Sequence, residues 1–254
     1  MYVHGHLQVP VVYVLSLKFL WGAIAERRVV AVLAAAGITK YLRCLLRPSA
    51  GTGESPLATL DILDLGSPLF GPVRLSAGPG EVVGLSGPSG AGKTLLLRGV
   101  ADLDPTRGEV YLDGQSRSGF QAAAWRAAVA YLPAESQWWE ERIGAHFQAS
   151  ADALHALGLP GDALDWEVAR CSTGERQRLA LLRLLAGGPR VLLLDEPTAS
   201  LDAAAAEQVE ACVLAYARTR GAPVLWVSHD HEQLRRVARR RFRVLPRGRL
   251  EPLA

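Results

Sequence analysis

Eight consecutive residues, Gly87-Pro88-Ser89-Gly90-Ala91-Gly92-Lys93-Thr94, fit G-x-x-x-x-G-K-[ST], a pattern in which a strand turns into a helix around the phosphates of a nucleotide. The glycines let successive backbone N–H groups face inward, and the helix N-terminus adds partial positive charge at the same point. Lys93 brings a compact cation to the β- and γ-phosphates, and Thr94 offers a hydroxyl to Mg2+. The lysine itself is informative. Only Lys18, Lys40 and Lys93 break an otherwise all-arginine set of basic residues, and a planar guanidinium is too wide for a slot that takes a point charge.

A second candidate is Val191-Leu192-Leu193-Leu194-Asp195-Glu196, where two carboxylates stand at the end of a hydrophobic strand. That is the ligand edge of a parallel sheet. Asp195 can hold Mg2+ through water there, and Glu196 can orient or deprotonate an attacking water. Together the two motifs indicate a Mg-nucleotide triphosphatase. Three further pieces are weak singly and specific in combination. Cys171-Ser172-Thr173-Gly174-Glu175-Arg176-Gln177-Arg178 precedes a helix with small residues that bring N–H groups close to an anion, although Ser172 also reads as a plain helix N-cap. Ser200-Leu201-Asp202 follows the carboxylate pair, and His229 follows an apolar strand, where an imidazole can reach a γ-phosphate.

These residues need elements to hold them. Short strands are expected at Leu57–Leu65, Val73–Leu75, Val110–Leu112 and Val129–Leu132, and a buried one at Glu81–Leu85. Val191–Leu194 is the continuous apolar run of a strand covered on both faces, and Val224–Val227 is another strand. Helices are expected at Lys93–Val100, Glu141–Leu157 (ended by Gly158, Pro160 and Gly161), Arg176–Leu185, Ala203–Arg218 and Glu232–Ala238. The alternation predicts an α/β fold with a mainly parallel sheet, and no internal repeat is present.

The 254 residues, 49% hydrophobic and 21% charged, supply a core and exclude global disorder. Gly and Pro without period exclude a collagen, and three cysteines exclude a disulfide scaffold; Cys44, Cys171 and Cys212 read as free thiols of a reducing compartment. Of the chain's net +3, residues 1–55 carry +4, six basic groups against Glu26 and Glu54, so the remainder, at −1, does not suggest a duplex-binding domain. Residues 1–50 differ from the rest. Their apolar stretches fit a signal-like or spanning segment, an interfacial or packing segment, or a start assigned too far upstream. Pro48–Pro56 is a linker by composition.

With these motifs in this order, residues 57–250 resemble the ATP-binding cassette (ABC) family, specifically the ATPase subunit of a transporter. The resemblance implies a P-loop NTPase cassette over 57–254, preceded by an extension and linker at 1–56. Its parts are a mainly parallel sheet core, a small antiparallel β subdomain, and a small helical subdomain at about 135–172 that faces a membrane partner. It implies that 87–94 is the Walker A loop, 191–196 the Walker B strand, 172–178 the signature, 200–202 the D-loop and His229 the switch histidine. ATP and Mg2+ are the implied cofactors, with Thr94 and Asp195 serving the metal and Glu196 acting as base. Two cassettes would close head-to-tail, the Ser172 and Gly174 region of one capping the γ-phosphate held by Lys93 of the other. The implied partners are that second cassette and a separate membrane permease, with no nucleic acid. The implied location is cytoplasmic, peripheral on the inner face of the cytoplasmic membrane. The alternatives are a soluble ABC ATPase acting in DNA repair or translation, and an ATP-binding module with weak turnover. The short stretch between Lys93 and the signature, without a heptad run, speaks against the first.

The sequence departs from the family pattern in three places. The usual Leu-Ser-Gly-Gly-Gln signature reads Cys171-Ser172-Thr173-Gly174-Glu175. The glutamine expected after Val129–Leu132 is Ala134, with Glu135 or Gln137 as substitutes. The aromatic expected to stack on adenine has Phe70 as its only candidate. Trp138-Trp139 reads either as part of a contact surface or as subdomain core. The arginine run from Arg235 to Arg249 reads as a solvated helix face and edge strand, or as a site for anionic lipid.

Overall fold

Three strands in which every residue is buried form the centre of the molecule: β3 (Val82–Ser86), β7 (Val191–Asp195) and β8 (Val224–Val227). The computed structural model describes residues 57–253, so the readings of residues 1–50, the 48–56 linker and Cys44 lie outside the described residues. The six-stranded sheet has the order β10-β9-β3-β8-β7-β6, adding β6 (Val129–Leu132), β9 (Arg240–Val244) and β10 (Leu250–Leu253). All of its pairings are parallel except β9 with β10.

Side chains alternate across this sheet with the period of two that a pleated strand imposes. Val83, Leu85, Leu193, Leu225 and Val227 face one core, shared with Leu96, Leu97 and Val100 of α1 (Lys93–Val100) and with a four-stranded antiparallel sheet. Val82, Leu192, Leu194, Val224 and Trp226 face the other, shared with α4 (Thr173–Ala186) and α5 (Ala203–Arg220). Each such leucine contributes about 1.5–3 kcal/mol relative to exposure. The antiparallel sheet runs β2-β1-β4-β5, from β1 (Leu60–Ser67), β2 (Phe70–Ala77), β4 (Arg107–Leu112) and β5 (Gln115–Ser116). Two short helices, α2 (Ala122–Ala128) and α6 (His231–Val237), complete the frame around the sheet. Among the described residues no helix is long and apolar enough to cross a membrane.

Two expectations are corrected. The helix expected over Glu141–Leu157 exists only as a 3-10 turn at Ile143–Ala145 and as α3 (Ala151–Ala156). Residues 141–143 instead pair with a distant segment: Ile143 N–H donates to Trp166 O (2.9 Å), Val168 N–H to Glu141 O (2.8 Å), and Arg142 bridges Glu167. The arginine-rich strand β9 is not an edge, since β10 covers its outer side. Trp138 packs against the core, as the subdomain-core reading expects, while Trp139 is exposed. Cys171 and Cys212 are buried free thiols, and burial pushes Cys212 up to about 12.

Candidate active site

The loop from β3 to α1 closes only because its glycines allow it. Gly87 has φ +146, and a Cβ there would sit 2.3 Å from Val244 O of β9. Gly92, at φ +100, starts α1 without any side-chain cap, which leaves its first N–H groups for a ligand. Lys93 is 7% exposed, and its Nζ donates to Gly87 O (2.8 Å) and Pro88 O (3.0 Å) of its own loop. Burial pulls its pKa below the ordinary lysine value, opposed by the charges of Glu196 and Asp195. Thr94 Oγ1 donates to Asp195 Oδ2 (2.7 Å), and Tyr131 OH donates to the same oxygen (3.1 Å). Burial, with Asp195 beside it, holds the Tyr131 hydroxyl far above its usual range, so it stays a donor.

Glu196 follows β7 in a left-handed conformation (φ 50), a backbone state that costs a non-glycine residue about 1–3 kcal/mol. Its N–H is tied to Val227 O (3.1 Å), and its Oε2 accepts the backbone N–H of His229 (3.4 Å). Its Oε1 lies 3.5 Å from His229 Nε2 yet is buried without a hydrogen bond. Such an oxygen needs a donor such as water. Burial raises the Glu196 pKa, against the lowering effect of His229, and a raised pKa makes the carboxylate a stronger proton acceptor.

A cavity of about 300 Å3 gathers Ser89, Gly90, Gly92, Lys93, Thr94, Asp195, Glu196 and His229. Gly87 and Pro88 hold Lys93 through their carbonyls, and Ala91 of the same loop is buried. Ala134 lines this cavity while Glu135 and Gln137 do not, so the position expected to hold a glutamine faces the site as a methyl group. Phe70 is corrected as an adenine platform: it is 3% exposed, and its side chain packs beside Gly92, Gly99 and Gly248.

Ser172, Gly174 and Asp202 are not among the residues of this cavity. Ser172 caps α4 in a full capping box, with Glu175 N–H donating to Ser172 Oγ (3.2 Å) and Ser172 N–H to Glu175 Oε2 (2.7 Å). Asp202 caps α5 through Ala205 N–H (2.8 Å). A Cβ on Gly174 would meet Leu201 and Ser200 O at 3.1 Å, so the signature turn and the 200–202 loop pack on each other.

Three residues of consequence were not singled out from sequence. Tyr131 is the one polar side chain in Val129–Leu132, a signal available there. Gln177, 4% exposed, accepts from Ser136 Oγ (3.0 Å) and donates to Pro133 O (3.3 Å), which fixes the segment flanking Ala134. Gln233, 2% exposed, donates to Thr198 Oγ1 (2.8 Å) and Glu210 Oε1 (2.9 Å) and so steadies the turn after Glu196.

The family model described as ABC transporter matches residues 70–199. The rice protein STAR1 is 34% identical over 81% of this chain and 60% of its own length. A molybdenum import ATP-binding protein of Paramagnetospirillum magneticum is 36% identical over 65% of this chain and 50% of its own. A probable iron export ATP-binding protein of Escherichia coli is 31% identical over 64% and 78%. The chain thus spans about half to three-fifths of the first two relatives. The fold matches a bacterial Atm1-family ABC exporter solved with ATP bound, at TM-score 0.68 and 21% identity, over 81% of this chain and 40% of that one. With its phosphate loop, paired carboxylates and cassette fold in place, the chain belongs to the ABC transporter family and is an ATP-binding cassette of it.

Proposed function

We propose that this cassette binds and hydrolyses Mg-ATP to drive solute through a membrane permease, working as a head-to-tail pair on the cytoplasmic face of the membrane. One observation carries the reading: Lys93, Thr94, Asp195, Glu196 and His229 converge on one cavity from two strand ends and one helix N-terminus. The relatives support the coupling rather than any cargo, since their names include both an importer and an exporter.

The residues fit a triphosphate and its ion. Gly87, Gly90 and Gly92, all at positive φ, form a backbone cradle for oxyanions. Thr94 Oγ1 and Asp195 Oδ2, 2.7 Å apart, are the hard oxygen donors that Mg2+ prefers. No group of three His, Cys, Asp or Glu gathers among the described residues, so the ion would be shared with phosphate and water. Bound there, Mg2+ neutralises charge on the transferring phosphoryl group.

The chain's own residues supply the remainder. Lys93 holds the terminal phosphate oxygens. Glu196 Oε1 accepts a proton from the attacking water, and its left-handed backbone and His229 N–H keep that carboxylate aimed. The His229 imidazole contacts the same phosphate. Tyr131 and Thr94 both direct hydrogen bonds at one Asp195 oxygen and fix its rotamer. The Ser172–Gly174 turn of a second copy would close the site. The test is Glu196→Gln in the purified chain. Hydrolysis is expected to fall at least about 100-fold, the scale of a lost general base, with ATP binding kept and an ATP-dependent dimer accumulating. Hydrolysis at the parent rate would overturn the assignment of the base.

A further inference from the structure

We propose that Leu69 and Arg247 form the clamp for the nucleobase, resting on the Mg-ATP reading of the cavity, and that this clamp accepts guanine as readily as adenine. The sheet order fixes the side on which a nucleoside leaves the cavity. The phosphate loop follows β3. On one side of β3 lie β8 and β7, whose ends lead to His229 and Glu196 at the terminal phosphate, and on its other side lie β9 and β10. The cavity of about 300 Å3 has Gly92 in its wall, so base and sugar continue past Gly92, away from Glu196.

Two segments meet at that rim. A Cβ on Gly92 would lie 3.1 Å from Phe70 Cβ and 3.9 Å from Gly248 N, and one on Gly248 would lie 3.3 Å from Phe70 Cδ2. Phe70 thus fills the joint between the start of β2 and the turn from β9 to β10. The residue just before each joined partner is exposed. Leu69 is 70% exposed, its N–H donating to Ser67 Oγ (3.2 Å). Arg247 is exposed and makes no ion pair among the described residues. Its backbone is left-handed (φ 65), in a turn closed by Gly248 N–H on Leu245 O (2.9 Å) and Leu245 N–H on Arg249 O (2.8 Å). A non-glycine residue held that way is strained, and such strain clusters at ligand clamps.

The chemistry of the pair suits a base. A guanidinium plane stacks on the face of a base, and the leucine offers apolar surface for its other face. Such a platform is tolerant, because every base has a π-face. A guanidinium also donates and never accepts. On one edge guanine presents N7 and O6, both acceptors, whereas adenine presents N7 and the donor N6. Arg247 therefore finds two acceptors on GTP and one on ATP.

The test is calorimetric titration of the full chain, with Mg2+ present, by non-hydrolysable analogues of ATP and GTP and by inorganic tripolyphosphate, which lacks base and sugar. The GTP analogue should bind at least as tightly as the ATP analogue. Arg247→Ala and Leu69→Ser should each weaken both analogues about tenfold, the scale of one lost stacking contact. Both should leave tripolyphosphate affinity unchanged, which also reports the phosphate loop as folded. Arg247→Lys keeps the charge without the plane and should bind as weakly as Arg247→Ala. Parental nucleotide affinity in any of the three variants, an equal loss of tripolyphosphate affinity, or a GTP analogue about tenfold weaker than the ATP analogue in the parent overturns the clamp. A parent that binds neither analogue nor tripolyphosphate overturns the Mg-ATP reading itself, and the clamp with it.

Discussion

The N-termini of α1 and α4 are both preceded by small residues, yet they are finished in opposite ways. Gly92 at the start of α1 offers no side-chain cap, and the first turn holds no acidic residue. Ser172 and Glu175 at the start of α4 satisfy each other's backbone N–H groups in a reciprocal box. A helix N-terminus attracts negative charge either way. At α1 that charge must come from outside the chain, whereas at α4 it is already supplied by Glu175. The difference teaches that similar small-residue turns can be a ready receptor or a closed one. For the second turn to meet a phosphate, its internal carboxylate has to give way.

The largest effect that would sharpen this contrast is on the α1 side. Lys93→Ala removes the charged donor and should weaken Mg-ATP binding by about 100-fold, the upper worth of one charge-assisted bond at about 3 kcal/mol. A fluorescent-nucleotide titration reads it, and unchanged affinity would break the account. Next is Tyr131→Phe, which removes one of two donors to Asp195 Oδ2. About 1 kcal/mol predicts a five- to tenfold lower kcat with little change in KM. Equal loss in both constants would show Tyr131 to be a packing residue.

On the α4 side, Ser172→Ala should cost about 1 kcal/mol of stability, the usual worth of a cap, and leave ATP binding by a single chain intact. A urea melt and the same titration check both halves. The smallest effect is the pH response of Glu175. The Ser172 backbone N–H, with its hydroxyl, holds this carboxyl below the ordinary 4.5. A pKa depressed on folding stabilises above the unfolded value and is lost as pH falls through the folded one. The parent's melting temperature should therefore fall more steeply than that of Glu175→Gln below about pH 4.5. Parallel curves would remove Glu175 from the box.

What was legible in the sequence was local. Gly87–Thr94 and Val191–Glu196 each carry loop, strand end and chemistry within a few residues, so their spacing predicts both conformation and role. Phe70 misled because its neighbours in space, Gly92, Gly99 and Gly248, are remote in sequence and draw the ring inward. Glu141–Leu157 misled for a similar reason: the pairing of 141–143 with 166–168 outcompetes a helix that helical spacing alone would favour. The arginine strand seemed fit for an edge because its charges are many, and only the return of β10 reveals that it is covered.

Lys93 has two ammonium protons committed to its own loop, and an ammonium carries three. The third remains for an incoming oxygen, so the arm need not swing or lose rotamer freedom when a guest arrives. Capture can then proceed at the pace of encounter, and the length of each stay is governed by how fast the guest departs.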